Sequence, residues 1–183
     1  GEMLIIDPGD NAEKIEQKIL EMQGKPVAIL LTHGHFDHAT GAGELAQLLH
    51  IKIYAQEKEK ETLENPQLNL SGWQGSELVF YADEYLKDEQ EIDLAGFHIR
   101  VFLTPGHTVG GCCYYFPYQN TLFSGDSLFQ TSIGRTDFPK GSASQLIHAI
   151  REKLMPLPDE TAVYTGHGDM TTIGTERMYN PYL

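Results

Sequence analysis

The sequence is short of positive charge, of cysteine and of long apolar runs. Thirteen Lys and Arg stand against 26 Asp and Glu, a formal charge of −13. Phosphate backbones are held by clustered Lys and Arg, so no nucleic-acid partner is expected. Only two cysteines occur, Cys112 and Cys113, adjacent in the chain. A disulfide between neighbours is strained, so they read as buried thiols of a reducing compartment. They also stand too far from the histidine-rich segments to build a cysteine-based zinc site. No apolar run approaches the roughly 18 residues that cross a bilayer, and no membrane partner is expected. No signal-peptide pattern opens the chain, and the expected location is cytoplasmic. Met3-Leu4-Ile5-Ile6 already reads as a strand, and whether natural residues precede Gly1 is left open by the sequence.

What is present suits one α/β domain over residues 1–183, with 40% hydrophobic residues to fill a single core. Strand and helix patterns alternate. Asn11 to Gln23 repeats apolar residues at Ile15, Ile19 and Met22, with Asp10 as N-cap and Gly24 as the stop. Val27 to Leu31 is a continuous apolar run, hence a buried strand. A helix over Thr40 to Leu49, a strand over Ile51 to Ala55 and a short exposed helix over Gln56 to Leu63 follow. Between Glu64 and Asp88 the signal fades, and Trp73, Phe80 and Tyr81 are expected to cover the core. Strands return at Glu91–Leu94, Phe97–Leu103, Gly111–Phe116 and Thr121–Ser124. A helix over Ala143–Lys153 precedes a last strand at Ala162–Thr165.

Five of the eight histidines fall at the ends of these strands. In Thr32-His33-Gly34-His35-Phe36-Asp37-His38, four potential ligands occupy six positions, and the two-residue spacing of His33 and His35 sends both imidazoles to one side of an extended chain. Burying that much polar surface unpartnered would cost several kcal/mol. A divalent metal satisfies imidazoles and carboxylates together. His107, Asp126 and His167 each directly follow a strand and a glycine, which lets the backbone turn sharply. Five His and two Asp suffice for two metal sites sharing a carboxylate. His50, His98 and His148 lack ligand-type neighbours and read as structural. Tyr114 and Tyr115 alternate across a strand, so at most one faces a cleft.

The His-x-His-x-Asp-His segment followed by His107, Asp126 and His167 resembles the signature of the metallo-β-lactamase superfamily. The likeness runs from Asp7-Pro8-Gly9 to His167 and implies an αββα sandwich with two metals at one edge. Within that superfamily, Gly125-Asp126-Ser127-Leu128-Phe129, the Gly134-Arg135-Thr136-Asp137-Phe138 segment and the tail from Gly166 to Gly174 resemble small glyoxalase II-like proteins, hydroxyacylglutathione hydrolases among them. The resemblance implies that His33, His35 and His107 bind the first metal, that Asp37, His38 and His167 bind the second, and that Asp126 bridges them. The N-terminal hairpin of typical members is expected to be missing, which would bare a sheet edge. Only 16 residues (183 minus 167) follow His167, fewer than the helical region that grips glutathione in full-length glyoxalase II enzymes, so the thiol carrier is left open.

The activity so implied is hydrolysis of a small-molecule thioester such as S-lactoylglutathione by a metal-bridging hydroxide, positioned by Asp37 and Asp126. Zinc is the first expectation for the two divalent ions, with iron or manganese as alternatives. Arg135 is a candidate substrate contact, set against a bracing salt bridge to Asp137. One rival is an iron-dependent persulfide dioxygenase of the same fold. Another is a metal-binding module without turnover. A β-lactamase is set lower, since those enzymes usually have cysteine where Asp126 stands. The sequence does not give an oligomeric state.

Overall fold

The computed structural model describes residues 1–183. Its strands form two main sheets. The first is parallel throughout, in the order β1 (Glu2–Ile6), β2 (Lys25–Leu30), β3 (Lys52–Gln56) and β4 (Glu84–Leu86). The second runs β12 (Thr171–Thr172), β11 (Ala162–Thr165), β8 (Thr121–Gly125), β7 (Cys112–Phe116), β6 (Phe97–Leu103) and β5 (Glu91–Leu94). It is antiparallel except where β11 lies parallel to β8. A small hairpin, β9 (Leu128–Phe129) with β10 (Ser132–Ile133), stands apart.

Side-chain alternation separates the layers. In β2, Leu30 points between the sheets, where it joins Leu86, Ile99, Val101, Cys112, Tyr114 and Phe116. Its neighbour Ile29 points the other way, under helices α1 (Ala12–Glu21) and α3 (Ala42–Leu49), with Ala12, Ala42 and Leu45. In β7, Cys113 and Tyr115 face a third cluster with Leu146, Ile150, Leu154 and Ile173. These come from α5 (Ala143–Ala149), its π-helical extension to Leu154, and α6 (Ile173–Tyr179). Each sheet therefore has an apolar set on both faces, and the result is the expected αββα sandwich. No helix is long and apolar enough to cross a membrane.

Four local expectations are corrected. Asn11, not Asp10, caps α1; it adopts φ 58° and gives no side-chain cap, while Asp10 accepts its N–H. The helix expected from Thr40 begins earlier, as the single turn α2 (Phe36–Ala39), and breaks at Gly41, whose N–H donates to Pro8 O before α3 starts. The segment read as an exposed helix is a 3-10 turn (Glu57–Glu59) leading into α4 (Lys60–Glu64), and Glu59, Thr62 and Leu63 are buried. Trp73 does not cover the core: it is 58% exposed, and Tyr81 is exposed too, whereas Phe80 packs against the α1/α3 cluster. β4 had no sequence signal; it is held in register beside β3 in part because Asp83 accepts the N–H of Ile53.

Strand directions converge on the site. β6 and β8 are both antiparallel to β7 and so run the same way, and β11 follows β8. The C-terminal ends of all three lie at one edge, where the start of β7 meets the first sheet through Cys112 N–H donating to Thr32 O. His107, Asp126 and His167 follow those ends, and His33 follows the end of β2 in the first sheet.

Candidate metal centre

All seven residues singled out in the sequence meet at this edge. Ligand atoms of His33, His35 and His107 lie within 4.8 Å of one another, and so do those of Asp37, His38 and His167. Asp126 sits between the groups. Its Oδ2 is 3.4 Å from His107 Nε2 and 3.6 Å from His167 Nε2, and its Oδ1 is 3.4 Å from His38 Nε2. Asp37 Oδ2 lies 3.3 Å from His167 Nε2 and 3.8 Å from His38 Nε2. Asp7, His33 and His38 also come within 4.8 Å of one another.

Hydrogen bonds behind the imidazoles settle which nitrogens are turned inward. His107 Nδ1–H donates to Arg135 O at 2.7 Å, which leaves Nε2 as an acceptor facing His35 Nδ1 at 3.0 Å. Thr32 Oγ1–H donates to Asp7 Oδ2 at 2.6 Å, so the same hydroxyl can only accept from His33 Nδ1, 3.1 Å away. His33 Nε2 is then a buried lone pair with no partner, and Asp126 Oδ1 is likewise buried without a hydrogen bond. Unpartnered buried acceptors are costly. Two of them set among the other ligand-type side chains are what a cation satisfies, so the residues fit a metal centre.

The charge states of His33, His35 and His107 agree. Burial first, then the neighbouring imidazoles, hold His33 well below its usual range and push His35 down to about 2, so both are neutral donors. His107 is also lowered, chiefly by burial and against the pull of Asp126. His38 behaves oppositely. Burial would lower it, but its bond to Asp7 and the charges of Asp7, Asp126 and Asp37 override that and raise it to about 9. Burial raises Asp126 despite the imidazoles around it.

Two glycines make the close approach possible. A Cβ on Gly166 would stand 2.1 Å from Asp126 Oδ1 and 2.9 Å from His38 Cε1. Gly125 adopts φ +49°, and a Cβ there would strike Thr32 Oγ1 at 2.2 Å. Both clashes involve groups of the site itself, so the Gly-Asp and Gly-His pairs are geometric requirements.

Three supporting residues escaped the sequence reading. Asp7 looked like part of a turn; it accepts from Thr32 N–H, Thr32 Oγ1–H and His38 Nδ1. Thr32 links Asp7 to His33. Glu59, 1% exposed, accepts from Gly34 N–H, Gly110 N–H and Thr108 Oγ1–H, tying the loop of His33 and His35 to the loop of His107. Burial outweighs these bonds and raises its carboxyl to about 6. The Asp-Pro-Gly turn signalled Asp7 weakly, and nothing in the charged run around Glu59 distinguished it.

The remaining candidates lie elsewhere. His98 pairs with Asp93 and Glu91, His148 with Glu152, and His50 takes a left-handed turn after α3. Neither Tyr114 nor Tyr115 reaches the cleft, because one is packed between the sheets and the other under the helices. Arg135 does line the cleft, but its guanidinium forms two bonds to Asp137, at 2.8 and 2.7 Å. The cleft has a volume of about 570 Å³ and opens onto His35, Asp37, His107, Asp126 and His167.

Comparison with known proteins agrees with this geometry. A model described as the metallo-beta-lactamase superfamily matches residues 1–167. The chain is 41% identical over 182 residues to a probable metallo-hydrolase, YqgX, of Bacillus subtilis, covering 98% of this chain and 86% of that one. It is 41% identical over 183 residues to the hydroxyacylglutathione hydrolase GloC of Haemophilus influenzae, with the same coverage of both. Among solved structures, the BLEG-1 B3 metallo-beta-lactamase superposes with a TM-score of 0.94 at 42% identity, over 99% of this chain and 88% of the other. A di-iron-bound form of TTHA1623 gives 0.85 at 35% identity, over 97% and 88%.

Proposed function

The chain belongs to the metallo-beta-lactamase superfamily, and from that membership we propose that it hydrolyses thioesters at the histidine-rich edge of its sandwich. The observation that carries this is the pair of partnerless buried acceptors, His33 Nε2 and Asp126 Oδ1, beside a cleft large enough for a small molecule. His33, His35 and His107 would hold one divalent ion, Asp37, His38 and His167 a second, with Asp126 shared. Bound there, such ions supply a Lewis acid for the carbonyl oxygen and lower the pKa of water toward neutrality. Zinc is our first choice; the di-iron form of a similar protein is the reason to test iron beside it.

The chain's own groups do the rest. Asp37 and Asp126 both face His167 Nε2 and would orient the attacking oxygen by accepting its hydrogen bond. Asp7 and the Arg135 carbonyl keep His38 and His107 turned inward. A thiolate leaving group ionises near pH 8.5 and departs without protonation, which suits a cleft whose carboxylates belong to the proposed ligand set. The name of the Haemophilus relative supports this substrate class.

The test is thiol release from S-lactoylglutathione by zinc-loaded and iron-loaded protein, with and without chelator. Release that stops on chelation and is lost in Asp126→Ala, with the circular dichroism spectrum kept, supports the reading. Undiminished turnover by Asp126→Ala would sink it. A second reading, β-lactam hydrolysis, is favoured by the likeness to a B3 metallo-beta-lactamase, and nitrocefin in the same assay decides between them.

A further inference from the structure

Beyond the candidate ligands, six of the nine residues that line the cleft are apolar, and the other three are Gln74, Ser132 and Arg135. Phe36, Leu70, Trp73, Phe129, Ile133 and Phe138 line it. The rings form a continuous surface from the imidazoles to the rim. Phe138 stands edge-on to His35 at 5.4 Å and to His107 at 5.8 Å, and Trp73 stands edge-on to Phe138 at 5.9 Å. The only cation in the lining apart from imidazoles is Arg135, which is held by Asp137 and lies over the Phe138 ring at 4.2 Å. No lysine or free guanidinium is left there to receive a remote carboxylate.

Trp73 is the only tryptophan in the chain, and it is held out toward this space. Its 3-10 turn, Ser71–Gln74, is fixed by the fully buried Asn69. Asn69 Nδ2 donates to Leu63 O and Leu78 O, its Oδ1 accepts from Ser71 N–H, and its backbone oxygen accepts from Phe36 N–H. A large aromatic left exposed on a well-tied turn is a preformed contact for an apolar ligand.

We propose that the substrate is an uncharged thioester carrying an aromatic or branched apolar group beside its carbonyl or its sulfur, with Trp73 and Phe138 as the residues that select it. This rests on the thioesterase reading above and sharpens it: a tripeptide thiol with two carboxylates and an ammonium group is a poor match for this wall. Apolar pockets commonly discriminate by roughly 10- to 200-fold for each apolar increment.

The experiment compares kcat/KM of metal-loaded protein on four thioesters: phenylacetyl-N-acetylcysteamine, S-benzyl thioacetate, acetyl-N-acetylcysteamine and S-lactoylglutathione. A tenfold or larger advantage for either phenyl-bearing compound over the last two supports the proposal and says on which side of the sulfur the ring sits. Trp73→Ala should erase that advantage mainly through KM. A preference for S-lactoylglutathione, or an advantage that survives Trp73→Ala, overturns the proposal while leaving the thioesterase reading intact. If no thioester is cleaved, that reading fails, and binding alone then decides the pocket. Trp73 fluorescence is titrated with the non-hydrolysable thioether S-(2-phenylethyl)-N-acetylcysteamine and with S-(2-phenylethyl)glutathione. A saturable change, tighter for the uncharged compound, supports an apolar site; no saturation, or tighter binding of the glutathione thioether, overturns it.

Discussion

Asp7 and His38, 31 residues apart in sequence, are joined by Oδ2···Nδ1 at 3.0 Å, and this contact fixes which face of the His38 ring meets the other ligands. Carboxylates placed behind ligating imidazoles typically contribute 10- to 100-fold in metal affinity. Asp7→Asn should therefore weaken binding of the second of two zinc ions by that order and leave the first nearly intact. Calorimetric titration of chelated protein would show this, and two unchanged sites would refute it.

The same pair shapes stability against pH when ions are removed. His38 is raised from 6.5 to about 9, so its contribution is full below pH 6.5 and is lost as pH climbs to 9, roughly 3 kcal/mol in all. His35 is lowered to about 2, so below pH 6.5 the unfolded chain takes up a proton that the folded one refuses. Stability then falls by about 1.4 kcal/mol per pH unit from that group alone. Urea melts in chelator should accordingly peak near pH 6.5. A flat profile from 6.5 to 9 would show that the Asp7–His38 contact is not formed in the ion-free protein.

Glu59 offers a separate stability test. Glu59→Ala leaves Gly34 N–H, Gly110 N–H and the Thr108 hydroxyl without their acceptor in a buried setting. At about 1–3 kcal/mol per orphan, a loss of at least about 3 kcal/mol is expected. Glu59→Gln, which keeps one acceptor oxygen, should lose less. A loss under 1 kcal/mol for the alanine variant in urea denaturation would mean that the loops are held by other contacts.

Gly166→Ala places a methyl group 2.1 Å from Asp126 Oδ1. The expected outcome is a folded protein that binds fewer than two ions and has lost at least about 100-fold in turnover, the scale of loss when catalytic geometry shifts by about an ångström. Metal analysis beside circular dichroism would check it. Full ion content would mean that Asp126 moves without consequence.

Much of this was legible from residue order. Ligand-type side chains at strand ends were visible because β-strands alternate and glycine marks sharp turns, and parallel neighbours bring those ends to one edge. The apolar run of β2 announced a strand buried on both faces. What stayed hidden depends on tertiary partners. β4 is three residues long and lies beside β3 in part because the chain before it, ending at Asp83, is captured by Ile53. Glu59 reads as solvated because nothing local says that Gly34 and Gly110 will surround it. Trp73 reads as core because size and hydrophobicity normally send it inward; the Asn69 hydrogen bonds that hold its turn outward join segments apart in sequence.

Cys112 and Cys113, adjacent in β7, point into different layers of the sandwich, one between the sheets and the other under the helices. Burial raises both thiols, Cys113 to about 11 and Cys112 well above the usual thiol range. Neither is a thiolate at neutral pH, and neither meets solvent while the fold persists. A colorimetric thiol reagent added to the native protein will thus register only sulfur released from substrate. Under denaturing conditions the same reagent becomes a clock, its two equivalents of label arriving at the rate at which the sandwich comes apart.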